Sequence, residues 1–163
     1  MNYQEKDNLI DIESILQHDT VIHSVGFNPT EYKLMLDIDW IIERNIENSN
    51  FSYLLSPSTL IFENVWDIQF DIGPSLGMTI DSVKILSRTL PKNNRCLCHE
   101  TYEYLLSIEC MEGTIQFRTI GGKLFQRESP IIKGNSSFTI DERSNFSLLP
   151  IGKIFGINIK NKD

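Results

Sequence analysis

Histidine and aspartate residues near the start of the chain are the side chains best suited to metal binding or acid/base chemistry. His18, Asp19 and His23 lie close together, and Asp37 and Asp39 follow on the next predicted strand. A hairpin between the two segments would bring these groups within reach of one another. His18, Asp19 and His23 are therefore candidates for a pocket or a metal site, provided that their side chains converge and a second shell orients them.

A structural interpretation of the same residues is favoured. His18 and Asp19 follow a predicted helix, where an imidazole suits the negative end of the helix dipole. Asp37 and Asp39 fall on the outward side of a predicted strand, where carboxylates are usually just solvated. The sequence therefore predicts no bound metal.

Two other motifs lack the partners that chemistry would require. Cys96 and Cys98 are followed by His99, but a structural zinc site needs four ligands in more widely spaced pairs, and only Cys110 remains as a further thiol. Gly121-Gly122-Lys123 lacks the upstream glycine and the Ser or Thr of a phosphate-binding loop, and is expected to form a tight turn or bulge. No catalytic residue and no cofactor is predicted.

Length and composition indicate one soluble domain, residues 1–163. Apolar residues make up 40% and charged residues 23% of the chain, as in ordinary globular proteins. No signal peptide and no apolar run near 20 residues is visible, so no membrane contact is expected. The three cysteines are an odd number, which suits a reducing compartment. A cytoplasmic location is expected.

Charge is distributed unevenly along the chain. The net charge is −7; residues 1–113 contain 7 basic and 18 acidic side chains, whereas residues 114–163 contain 8 basic and 4 acidic ones. An acidic majority argues against nucleic-acid binding, because phosphate contacts need clustered Lys and Arg. A basic protein is the more natural partner.

An alternation of apolar and polar residues over Leu60 to Ile72 is the clearest structural pattern. It predicts a strand with one buried and one solvated face, divided by a bulge or bend near Asn64. The same pattern recurs over Tyr32 to Trp40 and over Tyr102 to Cys110. The remaining segments predict a helix at Asn8–Gln17, a strand from Val21 to Phe27, a turn at Asn28–Glu31, loops at Asn45–Asn50 and Ser136–Asn145, an interruption by proline at Ser56–Ser58 just before the long strand, a weaker strand around Val83 and Ile85, a hairpin through Glu112–Gly113, and a last strand at Ile151–Ile159.

Short strands separated by turn signals define the fold class. We expect a mainly β (α+β) domain, an antiparallel meander forming a sandwich or partly open barrel with an N-terminal helix against it. Its aromatic residues should lie mostly in the core.

Acidic residues fall on the outward positions of several predicted strands. Asp37, Asp39, Glu63, Asp67 and Asp71, together with Glu103 and Glu109, would form a negative face if these strands are neighbours. Simple solubility explains such a face, because antiparallel sheets commonly have one wet side. The functional interpretation is a docking surface for a basic protein. Within this face, the predicted partner-binding set is Asp37, Asp39, Glu63, Asp67 and Asp71.

Four segments resemble known sequences. They are HDTVIHSVGF (18–27), LDIDWI (36–41), SPSTLIFENVWDIQFDI (56–72) and GTIQFRTIGGKLFQRESPI (113–131). Together they resemble small uncharacterised bacterial single-domain proteins, some of them similar to immunity proteins of polymorphic-toxin systems. The resemblance supplies no catalytic motif.

Three functional hypotheses follow. The leading one is a non-enzymatic protein-binding module, immunity-like, that uses an acidic sheet face to block a cationic toxin or nuclease. The alternative is a small-molecule-binding or hydrolytic β-barrel with an aromatic-lined pocket. A homo-oligomer is the third, because an exposed strand edge can pair with a copy of itself.

Overall fold

A computed structural model describes residues 8–47, 49–73, 78–91, 102–143 and 146–160. These ranges contain eleven strands and one short helix. In chain order they are β1 (Leu9–Asp11), α1 (Ile12–Ile15), β2 (Val21–Asn28), β3 (Lys33–Glu47), β4 (Asn50–Glu63), β5 (Trp66–Ile72), β6 (Met78–Thr89), β7 (Glu103–Cys110), β8 (Gly113–Thr119), β9 (Gly121–Gln126), β10 (Ile131–Lys133) and β11 (Lys153–Asn158). No helix in the described ranges is long and apolar enough to span a membrane.

The strands form one large sheet in the order β1-β11-β9-β4-β3-β2-β6-β7-β8-β5, and β10 pairs separately with β4. All pairs are antiparallel except β1 with β11. The order has two ends, so the sheet is not closed into a barrel. The predicted β-rich class is confirmed, with two meanders, β2-β3-β4 and β6-β7-β8, joined where β2 pairs with β6.

The two halves of the sheet share one core. Phe62 of β4 and Phe117 of β8 are fully buried, with ring centroids 4.7 Å apart. Most predicted inward positions of β3 and β7 are buried in the same cluster: Leu34, Leu36, Ile38, Trp40, Leu106 and Ile108. Period-2 alternation correctly identified these side chains because each strand has one face on the core. The predicted inward residues Tyr32 and Tyr102, which precede the two strands, are instead 58% and 40% exposed.

The long alternating segment is divided where the sequence predicts. β4 ends at Glu63, Asn64 adopts a left-handed φ of 51°, and β5 begins at Trp66. After this corner the two strands pair with different neighbours, β4 with β3 and β9, and β5 with β8. One continuous apolar pattern therefore serves both halves of the sheet. Phe70, however, is 52% exposed; it lies on β5, which is an edge strand of the sheet.

Three local predictions are corrected. The expected helix at Asn8–Gln17 is only α1, because the residues before it form β1 on β11. In the expected loop at Asn45–Asn50, the residues up to Glu47 belong to β3 and Asn50 begins β4, with Glu47 paired to Asn50. Pro57 does not interrupt β4. Its carbonyl accepts the Arg127 N–H (3.1 Å), so the N–H that proline lacks would face the same side of the strand, just beyond the end of β9.

Gly121-Gly122, predicted to form a tight turn or bulge, are the first two residues of β9. Gly121 has a φ of +139°, and a Cβ on Gly122 would lie 2.1 Å from the carbonyl oxygen of Ile61 on β4. Thr119 receives the Gly121 N–H on its hydroxyl (3.2 Å). The two glycines therefore let the chain leave β8 and lie directly against β4.

Candidate functional site

Asp37 and Asp39 are buried, which corrects the prediction that they form part of a solvated acidic face. Both residues are 0% exposed, and Glu103, another predicted outward residue, is 2% exposed. Asp37 and Asp39 do occupy the side of β3 opposite to Leu36 and Ile38, as the alternation predicted. That side is covered by the chain between β9 and β11, which the local pattern of β3 does not report.

Arg143 makes the central contacts with the two carboxylates. Its Nη1 and Nη2 donate to Asp37 at 2.8 and 2.9 Å, and its Nε donates to Asp39 at 2.9 Å. A further Nη2 hydrogen bond reaches the carbonyl of Ile38 (3.2 Å). The guanidinium is itself fully buried. Burial alone would lower the pKa of Arg143, but its bonds to the two carboxylates outweigh burial and raise it.

Arg127 holds Asp37 from the other side. Its Nη2 donates to Asp37 Oδ1 (2.7 Å), while Nη1 donates to the Thr59 hydroxyl (2.7 Å) and to the Ser147 carbonyl. The Ser147 N–H in turn donates to Asp37 Oδ2 (2.9 Å). Asp37 therefore receives two guanidinium groups and one backbone N–H, which fastens the segment around Ser147 onto β3 and β4.

His23 reaches Asp39 because a β-bulge re-aims it. Ile22 pairs with Ile38 and Ser24 with Asp37, so His23 is the extra residue. Its Nε2 lies 2.7 Å from Asp39 Oδ2, and its side chain is 10% exposed. The predicted proximity of His23 to the next strand is therefore observed.

Asp39 remains an ionised acceptor in this setting. Burial alone would raise its pKa, but the His23 hydrogen bond, the Arg143 charge and the Phe138 N–H (2.9 Å) together lower it. The turn that follows Phe138 is fixed by Glu142, whose carboxylate accepts the Thr139 N–H (2.7 Å). Hydrogen bonding from Lys133 lowers the Glu142 pKa to about 2.

The arrangement resembles the base and orienting carboxylate of a hydrolase only in part. A nucleophilic mechanism needs a hydroxyl or thiol on the other nitrogen of the histidine. Within the described residues, the His23 ring packs against the ring of Phe146, with centroids 5.6 Å apart, and no hydroxyl or thiol hydrogen bond to His23 is seen. The oxygens of Asp37 and Asp39 already accept protein donors. The geometry therefore supports a buried structural ion cluster, which we call the β3 ion cluster: Asp37, Asp39, His23, Arg127 and Arg143.

His18 and Asp19 form their ion pairs with residues outside the β3 ion cluster. His18 is 3.4 Å from both Asp19 and Asp81, and Arg44 is 3.3 Å from Asp19. Among the residues that the structure describes, no group of three or more His, Cys, Asp or Glu side chains is placed to hold a metal ion. The candidate set His18, Asp19 and His23 is thus not brought together: His23 belongs to the β3 ion cluster and the other two to the surface.

The remaining predicted partner-binding residues differ in exposure. Glu63 is half-buried at the end of β4, where its charge helps to raise the pKa of Lys33, although the hydrogen bond from Lys33 to Glu31 contributes most. Asp67 is half exposed, 3.7 Å from Arg118. Asp71 is exposed and has no ion pair among the described residues. The accessible part of the predicted acidic set is therefore concentrated on β5.

Many of the basic residues in the last third of the chain form ion pairs within the molecule. Ion pairs link the basic residues after position 113 to acidic residues before it: Arg118 to Asp67 and Glu103, Arg127 to Asp37, Arg143 to Asp37 and Asp39, and Lys160 to Asp11. Two buried aspartates and two buried arginines cancel, so the net charge of −7 is still carried by the rest of the protein.

The aromatic residues do not line one interior pocket. Trp40, Phe62 and Phe117 are packed in the core, whereas Phe70 and Tyr102 are 52% and 40% exposed. Two clefts of about 340 and 370 Å³ lie beside the segment 146–150 and share Leu149. Arg127 lines the smaller cleft, but its guanidinium is already bound by Asp37, Thr59 and Ser147.

Of the three cysteines, only Cys110 lies in the described part of the chain. Cys96, Cys98 and His99 lie outside the described residues. Cys110 is a free, half-buried thiol at the end of β7, and burial raises its pKa to about 11. A thiol of this kind is a poor nucleophile at neutral pH.

Arg127 and Arg143 are the important residues that sequence reasoning missed. Both lie in the basic last third of the chain, and this charge excess is the only sequence signal that pointed toward them. Comparison of the chain with family models, curated proteins and solved structures found no match in any of the three.

Proposed function

We propose that this chain is a non-enzymatic protein-binding module that docks a basic partner through β5, in the manner of an immunity protein that blocks a cationic toxin. The observation that carries the proposal is the combination of exposed groups on the last strand of the sheet. Asp67, Phe70 and Asp71 are all exposed, and strand alternation places the Phe70 ring and the Asp71 carboxylate on opposite faces of β5. An edge strand that offers both an apolar ring and unpaired carboxylate charge is suited to docking a complementary, basic surface.

The charge balance supports the same proposal. The two arginines and two aspartates of the β3 ion cluster cancel in charge, so the acidic excess stays on the remainder of the molecule. Asp71 is not neutralised by a described Lys or Arg, and Asp67 shares Arg118 with Glu103. A basic partner would supply the missing counter-charge and would associate faster at low salt.

The alternative of a small-molecule or hydrolytic barrel has less support. The sheet has two ends, the core aromatics pack on one another, and His23 is engaged with Asp39. In the described part of the chain, the clefts beside Leu149 are the candidate sites for such a ligand.

Affinity capture from the native lysate at low and moderate salt tests the proposal. The test variant is Asp67→Lys/Asp71→Lys, and the matched control is Glu47→Lys/Asp141→Lys, which makes the same charge change at exposed positions outside β5. Each Asp or Glu to Lys change adds two charges, so both raise the net charge of −7 by four. Unchanged thermal midpoints will show that both variants are folded.

Salt-sensitive capture of one basic protein by the wild type and the control, but not by the β5 variant, is the expected result. Equal capture by all three proteins would refute the assignment to β5. Recovery of a bound small molecule in place of a protein would favour the alternative.

A further inference from the structure

The outer edge of β5 has no strand paired with it among the described residues. β5 ends the sheet order, and in the described part of the chain it pairs only with β8, through Trp66 opposite Arg118 and through Gln69–Ile72 opposite Gly113–Gln116. In an antiparallel strand, alternate residues direct their N–H and C=O groups to opposite sides. Half of the hydrogen-bonding groups of β5 therefore point away from the protein.

The start of β5 is anchored, so this edge is held in place. The Trp66 indole N–H donates to Glu103 Oε2 (2.6 Å), and Arg118 lies over the Trp66 ring, 5.2 Å from its centroid. At the other end, a Cβ on Gly113 would lie 1.9 Å from the Asp71 carbonyl oxygen, so only glycine permits this close pairing. The strand presents a preformed edge.

The side chains on this edge oppose pairing with a second copy of the chain. An antiparallel copy centred on Gln69 would place Asp67 opposite Asp71 at both ends, and a parallel in-register copy would place each aspartate opposite itself. Like charges directly opposite one another destabilise a strand pair. The bulge next to Asp67, whose φ is 56°, is a further device that natural proteins use against edge-to-edge association.

We propose that the free edge of β5 binds a β-strand of the basic partner by strand addition. This inference rests on the function proposed above. The incoming strand carries two Lys or Arg residues, one opposite Asp67 and one opposite Asp71, and an apolar residue against Phe70. The two basic residues are three or four positions apart, because the bulge at Asp67 can add one residue to β5 relative to its partner. Backbone hydrogen bonds supply affinity in such complexes, and the side-chain pattern supplies specificity.

Asp71 contributes more than Asp67 to this recognition. Arg118 already lies 3.7 Å from Asp67, whereas Asp71 has no described counter-ion. A basic residue opposite Asp71 gains a new ion pair, but one opposite Asp67 must share it. Asp71→Lys should therefore weaken binding of the strand more than Asp67→Lys.

Synthetic strands provide the test. The probe is a blocked ten-residue peptide of alternating Thr and Val with Lys at positions 3 and 7. Two comparison peptides have the same sequence with alternate backbone amides N-methylated, one on even and one on odd residues. Binding to the full chain is followed by NMR titration, and hydrogen exchange reports protection of the Gln69 to Ile72 amides.

Strand addition predicts that one of the two N-methylated peptides binds roughly tenfold or more weakly, because only one set of amides faces β5. It also predicts new amide protection in β5 and a larger loss of affinity for Asp71→Lys than for Asp67→Lys. The Glu47→Lys/Asp141→Lys control should bind like the wild type.

Binding that is salt-sensitive but indifferent to both methylation patterns would overturn strand addition while leaving acidic docking intact. Absence of binding, or dimerisation of the wild type through β5 in sedimentation experiments, would also overturn it. The capture experiment with the native partner decides the proposed function separately, because it does not depend on the peptide.

Discussion

Replacing Arg143 with Met tests whether the β3 ion cluster holds the fold together. The substitution keeps an unbranched, flexible side chain of similar reach but removes the positive charge and all five donors. Asp37 would keep Arg127 and the Ser147 N–H, and Asp39 would keep His23 and the Phe138 N–H. Both carboxylates would stay buried with one guanidinium between them in place of two.

The size of the effect follows from burial. Removing one partner of a buried ion pair costs about 3 to 5 kcal/mol, because the remaining charge is left in a poorly solvating interior. A domain of this kind is stable by about 5 to 15 kcal/mol in total. With a urea dependence of about 2 kcal/mol per molar, the unfolding midpoint of Arg143→Met should fall by about 2 M.

Urea denaturation followed by tryptophan fluorescence measures this shift. Trp40 is 6% exposed and packs against Phe155, so its emission reports the core. Arg127→Met is a milder variant, because Arg143 still binds Asp37 through two nitrogens. The control is Arg88→Met, an exposed arginine on β6 that lies over Tyr102 and should change stability by no more than about 0.5 kcal/mol.

The expected order of destabilisation is Arg143→Met, then Arg127→Met, then Arg88→Met. If Arg143→Met fails to fold, the order of the other two still tests the cluster. A midpoint for Arg143→Met equal to that of Arg88→Met would refute the reasoning, since it would mean that the buried carboxylates are stable without their guanidinium.

Three further predictions concern pH, thiol chemistry and backbone approach. The folded pKa of Asp39 is lowered, so its contribution to stability is complete above its unfolded pKa of about 3.9 and is lost as pH falls through the folded pKa; unfolding free energies below about pH 4 should fall more steeply for the wild type than for Asp39→Asn. With a pKa of about 11, Cys110 is about one-thousandth thiolate at pH 8, so site-resolved mass spectrometry should find its alkylation by iodoacetamide far slower than that of an unfolded control peptide; comparable rates would contradict the burial argument. Gly122→Ala should lower stability by about 1 to 3 kcal/mol in thermal unfolding, because its Cβ would lie 2.1 Å from the Ile61 carbonyl oxygen; Gly134→Ala, where no atom lies within 4 Å of the added Cβ, is the control.

The structure divides the acidic residues of the chain into a buried group and an accessible group. Part of it is internal, because Asp37 and Asp39 are neutralised by arginines from the basic last third of the chain. The other part remains accessible, and Asp71 on β5 is its clearest example. A search for partners should therefore begin at β5 and not at β3.

Local patterns in the sequence determined the strands and most of the core. The alternation over β3, β4 and β7 placed Leu36, Phe62 and Leu106 in the interior, and Asn64 marked the corner between β4 and β5. These features depend on neighbouring residues only, since a strand repeats its two faces every second residue whatever lies beyond. The sequence alone was thus sufficient for the β-rich class.

Only the tertiary structure decided what covers each outer face. Asp37, Asp39 and Asp71 all follow the same outward pattern, yet the first two are sealed by Arg143 and Arg127 and the third is exposed. The contacts that make this difference join residues about one hundred positions apart. Alternation tells which way a side chain points from its strand, but whether it meets water depends on where a distant segment of the chain comes to rest.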